Sequence, residues 1–363
     1  MTKILIYRLG SLGDTVLVLP TLASIRRRYP QARITLLTNI PVAAKAAPMM
    51  EILEGTGIVD DVISYSMGTR DRKTLADLSR TLRKARFDLM YHLGPARGFF
   101  RSVRDAVFFR WCGIRKIVGL PLSRADLTCG PRPGRTDLYE WEALRLARRA
   151  GEVEIDLRDE SLWELKLTSE ETRAATARLE AAGINAPFIA ASMGTKISAN
   201  HWTVENWRRL FTLLGRISGE FALVAVGAAD ERAESDHCLE AWAGAKTNLC
   251  GQTSPREAAA LLKKASLFLG HDSGLLHLAA LAGASCVGIY SARNPPGQWF
   301  PKGDSHQIFY RRVDCLGCGL GQCLAQGKKC ILSISPGEVA SAALKLLGWG
   351  PGLEAGSSSD RLG

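Results

Sequence analysis

The sequence predicts an α/β protein built from two doubly wound halves, each a parallel sheet with helices on both faces. Three observations carry this. Short apolar, β-branched runs alternate with longer amphipathic runs along almost the whole chain, the pattern of strand-helix-strand units. At 363 residues the chain is longer than one hydrophobic core usually holds. Strand-to-helix turns rich in Gly and Asp occur in both halves, where open α/β sheets bind their ligands.

In the first half, the runs predict strands near Lys3–Leu9, Arg33–Thr38, Val62–Ser66, Asp88–Leu93 and Lys116–Leu120. Helices fall between them at Thr15–Tyr29, Asp71–Lys84 and Glu140–Ala150. In the second half, strands are expected near Pro187–Ser192, Phe221–Val226, Thr247–Cys250, Leu267–Gly270 and Cys286–Tyr290. Its helices are expected at Val204–Ile217, Asp230–Ala243, Pro255–Lys264, Gly274–Leu281 and Pro336–Leu347. The expected domains are 1–165 and 186–350, joined through a charged stretch and a helix rich in Ala and Glu. The tail "GLEAGSSSDRLG" is small and polar, and is expected to be disordered.

Composition is globular, 46% hydrophobic and 23% charged. No long uncharged apolar run predicts a transmembrane helix. The start enters a strand pattern directly, so no signal peptide is expected and a cytoplasmic location is. The net charge of +11 is uneven: residues 1–150 carry 26 Lys/Arg against 13 Asp/Glu. A basic half suits an anionic partner such as a phosphorylated substrate, a nucleic acid or an anionic membrane face. No basic strip interleaved with aromatics supports nucleic acid.

Of nine cysteines, Cys112, Cys129, Cys238, Cys250 and Cys286 are scattered and expected to pack as small hydrophobes. Cys315, Cys318, Cys323 and Cys330 cluster with C-x2-C-x4-C-x6-C spacing. That spacing is compatible with a zinc or iron–sulfur knot but is not that of a standard finger; thiols packed in a loop are the alternative. No catalytic metal and no cofactor are expected.

Two turns carry the candidate chemistry. In "RLGSLGDTVLVLP", Asp14 sits at a helix start, where the dipole favours its charged form. It is either a capping residue or a general base facing a cleft. In "LFLGHDSGLLHLAALAG", a strand ends at Asp272-Ser273-Gly274 and a helix begins. Its free N–H groups, the Ser273 hydroxyl and His277 one turn on would cradle a diphosphate, or Asp272 and His277 are simply a cap and a core residue. Gly194, Thr195 and Lys196 follow a strand and could meet a phosphate. Asp230 or Glu231, after the strand ending at Val226, could bond ribose hydroxyls.

Together these stretches, with "CILSISPGEVASAALKLL" near the end, resemble glycosyltransferase family 9, the lipopolysaccharide heptosyltransferases. The resemblance implies a GT-B fold, two Rossmann-like domains facing a cleft, and an inverting, metal-independent transfer. It implies a nucleotide-sugar donor, ADP-heptose, held by the second domain through Gly194, Thr195, Lys196, Glu231, Asp272, Ser273, Gly274 and His277. It implies an anionic glycolipid acceptor near Arg8, Ser11 and Gly13, with Asp14 as base and peripheral contact with the cytoplasmic face of the inner membrane. One position departs from the family pattern: Asn200 stands where many members have Lys, and the neighbouring Lys is Lys196. Transfer from another nucleotide sugar, a nucleotide-sugar epimerase and a non-enzymatic nucleotide binder are the competing readings.

Overall fold

The structure is a computed structural model that describes residues 1–40, 48–66, 71–132 and 134–349, without the side chains of 135 and 136. The polar tail lies outside the described residues. Five parallel strands form the first sheet: β1 (Lys3–Tyr7), β2 (Arg33–Ile40), β3 (Asp61–Ser66), β4 (Leu89–His92) and β5 (Lys116–Val118), in the order β3-β2-β1-β4-β5. A small antiparallel hairpin, β6 (Pro131–Arg132) and β7 (Arg135–Tyr139), follows. The second sheet has six parallel strands: β8 (Phe188–Ser192), β9 (Ala222–Ala225), β10 (Lys246–Asn248), β11 (Leu267–His271), β12 (Cys286–Ile289) and β13 (Gln307–Phe309), in the order β10-β9-β8-β11-β12-β13. The two sheets repeat one winding pattern. In each, the strand order reverses beside the first strand, next to β1 and next to β8, which is where ligands bind in such folds.

The longer helices are α1 (Leu12–Arg28), α2 (Arg72–Ala85), α3 (Phe99–Trp111), α4 (Glu142–Arg149), α5 (Ser169–Ala181), α6 (Val204–Leu213), α7 (Arg232–Leu239), α8 (Pro255–Leu262), α9 (Gly274–Leu281) and α10 (Pro336–Leu346). Helices cover both faces of the sheets, so central strands such as β8 and β11 are buried at every residue. Trp202 and Trp207 are fully buried packing residues. Four of the five scattered cysteines are buried too, and Cys129 is half-buried.

All ten expected strands form. Several elements differ from the sequence reading. β1 stops at Tyr7 and α1 starts at Leu12 rather than Thr15, because Gly10 turns the chain early. β13 and the hairpin were not expected; they are short and carry little periodicity. The reading names no helix over 99–111, where α3 forms.

The halves are cross-braced. Trp141 Nε1 donates to the Phe300 carbonyl at 2.8 Å, and Arg256 Nη1 donates to the Ile52 and Leu165 carbonyls at 3.0 and 2.9 Å. No helix among the described residues is long and apolar enough to cross a membrane.

Candidate active site

The carboxyl ends of β1, β8, β9 and β11 open onto one cleft of about 570 Å³, inside the usual range of small-molecule sites. Its lining includes Ser11, Gly13 and Asp14 from the first half, and Gly194, Thr195, Lys196, Glu231, Asp272, Ser273, Gly274 and His277 from the second. Of the expected site residues, Arg8 and Asp230, the alternative to Glu231, are absent from this lining.

The turn after β1 is built around Asp14. Gly10 has φ +152°, and a Cβ there would lie 2.3 Å from Asp14 Cβ, so the turn cannot close over any other residue. Ser11 is the N-cap of α1, and its N–H donates to Asp14 Oδ2 at 3.0 Å. Asp14 is therefore the third residue of the helix rather than its cap. Arg8 Nη2 donates to Asp14 Oδ1 at 3.2 Å. The Arg8 side chain is only 1% exposed. Its Nη1 reaches the Leu93 carbonyl at 2.9 Å and Glu142 at 3.3 Å, its Nε is buried without a partner among the described residues, and Arg145 Nε holds Glu142 at 2.8 Å. Arg8 was expected at the acceptor; the structure buries it behind Asp14 as a brace. The helix start does not keep Asp14 below its ordinary pKa. Burial raises the Asp14 pKa, and Arg8 and the Ser11 N–H only partly oppose it. A carboxylate with a raised pKa is a stronger base than an exposed one. Asp14 keeps 28% of its side chain exposed, towards the cleft it lines.

The turn after β11 is built differently. Ser273 is the N-cap of α9. Ser273 Oγ and His277 Nδ1 are buried and have no hydrogen-bond partner among the described residues. Such orphans are rare in folded proteins. Burial pushes His277 down to about 4, so at neutral pH its ring is uncharged. Burial also pushes Asp272 up to about 6, against Asn294 and Arg293; Asn294 Nδ2 donates to Asp272 Oδ2 at 3.3 Å. Gly274, expected among the donor-holding residues, lines the cleft and also packs closely against the first turn. A Cβ there would lie 2.7 Å from Leu12 Cβ and 3.1 Å from Gly13 N. The bare backbone of Gly274 is what lets the two turns pack against each other across the cleft.

Beside them, β8 leads into Gly194-Thr195-Lys196. His271, driven to about 3 by burial, accepts from Trp202 N at 3.2 Å. That leaves its Nδ1 to donate to the Gly194 carbonyl, 3.4 Å away, which fixes this loop. Glu231 folds back so that Oε2 accepts from Ala228 N at 2.9 Å.

The sequence reading missed Arg293 and Asn294, which follow β12 and line the same cleft. Knowing that β12 lies beside β11 would have found them. Asn200, the departure from the family pattern, is 1% exposed. It donates to the Asp272 carbonyl at 3.2 Å and accepts from Ser291 Oγ at 2.6 Å, so an amide stitches β8, β11 and β12 together at that place. Cys315, Cys318, Cys323 and Cys330 border one small cavity behind Arg293. Among the described residues, no group of three or more His, Cys, Asp or Glu is placed to hold a metal ion.

The family model for glycosyltransferase family 9 (heptosyltransferase) matches residues 75–328. Lipopolysaccharide heptosyltransferase 3 of Escherichia coli K12 is 23% identical over 305 residues, 77% of this chain and 80% of that protein. A family 9 glycosyltransferase from Veillonella parvula superposes with a TM-score of 0.69 at 17% identity, covering 95% of this chain and 97% of that one. The E. coli ADP-heptose lipopolysaccharide heptosyltransferase II superposes with a TM-score of 0.64 at 20% identity, covering 95% and 98%. The fold is GT-B. With its motifs, winding pattern and family match in agreement, the chain belongs to glycosyltransferase family 9 and is a glycosyltransferase.

Proposed function

We propose that the protein transfers heptose from ADP-heptose to a hydroxyl of a lipopolysaccharide core or lipid A sugar, with inversion and without a metal. In this reading the first domain (1–165) receives the acceptor and the second (186–350) holds the donor. The acceptor carries anionic groups, which suits a peripheral place at the cytoplasmic face of the inner membrane. The similarity to an enzyme named for ADP-heptose supports the donor.

One observation carries the chemistry. A carboxylate whose basicity is raised by burial opens into the same cleft as a helix start with two unpartnered polar groups. Asp14 takes the proton of the acceptor hydroxyl. The hydroxyl oxygen forms a bond to the anomeric carbon of the donor while the bond from that carbon to the diphosphate oxygen breaks. ADP leaves with the electron pair. The N–H groups of α9, Ser273, His277, Lys196 and Arg293 stabilise the charge that builds on the leaving diphosphate. Glu231 meets the ribose, and Ser11 and Gly13 border the acceptor.

Thermal unfolding against ADP, ADP-heptose and UDP and GDP sugars tests the donor. A ligand at 100 times its dissociation constant stabilises the fold by about 2.7 kcal/mol. Stabilisation by ADP and ADP-heptose is the expected result. Stabilisation by only a UDP or GDP sugar would replace the donor, and no response to any of them would overturn the reading.

A further inference from the structure

The helix α3 shows solvent a face that a water-soluble enzyme has no reason to keep. Phe100, Val103, Val107 and Trp111 are 86%, 38%, 62% and 57% exposed. Their spacing of three, four and four residues puts them in one stripe along the helix. With Phe99, this helix holds five of the thirteen large hydrophobic side chains exposed among the described residues. Singly exposed apolar residues are ordinary, but a contiguous patch marks a docking surface. The opposite face anchors the helix: Phe109 is buried against Tyr7 and His92, at the carboxyl ends of β1 and β4. Those strand ends belong to the edge from which Asp14 opens into the cleft.

Charge says what covers the stripe. Arg101 and Arg110 lie to either side of it, and Arg104 sits at its border, paired with Asp105. The Arg83 guanidinium lies 4.4 Å over the Trp111 ring. Arg115 and Lys116, just beyond the helix, are exposed. An apolar stripe ending in Trp, edged by Arg, on a 13-residue helix too short to span a bilayer, is the make-up of a helix that lies in a lipid interface. A second copy of the chain would bring the same arginines face to face, which opposes a symmetric dimer through this patch.

We propose that α3 docks the enzyme on an anionic bilayer, with Phe100, Val103, Val107 and Trp111 below the headgroups and the flanking arginines on the lipid phosphates. This extends the reading of the acceptor as a lipid-anchored sugar, and names the surface that brings the enzyme to it. The test is co-sedimentation with vesicles of phosphatidylcholine alone and of phosphatidylcholine with phosphatidylglycerol, at low and high salt, with neither donor nor acceptor present. The protein is expected to partition at least about tenfold more onto the anionic vesicles, and to be released by salt. F100S/V107S is expected to lose about tenfold or more of that binding, since each side chain gives up buried apolar area. Its thermal unfolding should match the parent, because both residues face solvent. Failure of the parent to bind anionic vesicles, or binding that F100S/V107S leaves unchanged, overturns the proposal. A concentration-dependent dimer that F100S/V107S abolishes would assign the stripe to a second copy instead. Transfer to a soluble, lipid-free acceptor sugar should survive in F100S/V107S, so failure of docking and failure of the transfer reading are told apart.

Discussion

The two turns that meet across the cleft are built to one plan and finished in opposite ways. Each follows a strand that flanks the switch in strand order, each opens a helix, and each carries an aspartate near the helix start. In the turn after β1 the carboxylate is held by ions and dipoles: Arg8 on one oxygen and the Ser11 N–H on the other, with Glu142 and Arg145 behind. In the turn after β11 the carboxylate meets an amide, and the neighbouring Ser273 and His277 keep polar atoms with no partner among the described residues. A fully braced carboxylate is suited to moving a proton at one fixed place. A helix start with orphaned polar groups and an uncharged imidazole is suited to receiving a multiply charged ligand. On the proposed function, the same fold element divides into a proton-moving side and an anion-holding side.

Substitutions can break that division at several depths. Asp14→Asn keeps the shape of the braced turn and removes the proposed base. Turnover should fall by about 10²–10⁴, the range of general base catalysis, in a steady-state assay of ADP release. Asp272→Asn acts on stability. Asp272 binds its proton more tightly in the fold (about 6) than at its ordinary 3.8. Its contribution therefore favours the fold at low pH and is lost as pH rises through that window. Asn titrates nowhere, so the variant should gain on the parent as pH rises from below 3.8 to above 6, by about 3 kcal/mol in chemical unfolding. Ser273→Ala removes a hydroxyl placed for a phosphate. The Kd for ADP should weaken about tenfold, the value of one hydrogen bond to a charged group. The smallest effect belongs to Arg8→Lys, which keeps the charge behind Asp14 but loses the fork. Arg8 opposes the upward push of burial on Asp14, so the acid limb of kcat/KM should move to higher pH. An unmoved limb would detach Arg8 from the basicity of Asp14.

Much of this organisation is legible in the sequence because it rests on strong local signals. The β1 turn announces itself by Gly10, Gly13 and Asp14 after an apolar run, and the β11 turn by Asp-Ser-Gly before a helix. What stayed hidden depends on where distant segments land. Arg8 reads as a cation free to meet a substrate, and only burial between Leu93 and Glu142 makes it a brace. Gly274 reads as room for a phosphate, and only the packing of Leu12 shows whose backbone it admits. Arg293 and Asn294 carry no motif; they enter the site because β12 pairs with β11. The helix α3 breaks the usual pattern because its apolar residues point outward as well as inward, which blurs the periodicity that would reveal it.

The division between the two turns is tested most directly by titrating ADP into the parent and into Asp14→Asn in a calorimeter. If Asp14 serves the proton and the β11 turn holds the anion, the Kd for ADP should agree within about threefold while turnover is lost. A loss of ADP affinity as large as the loss of turnover would place Asp14 in the donor site and contradict the account.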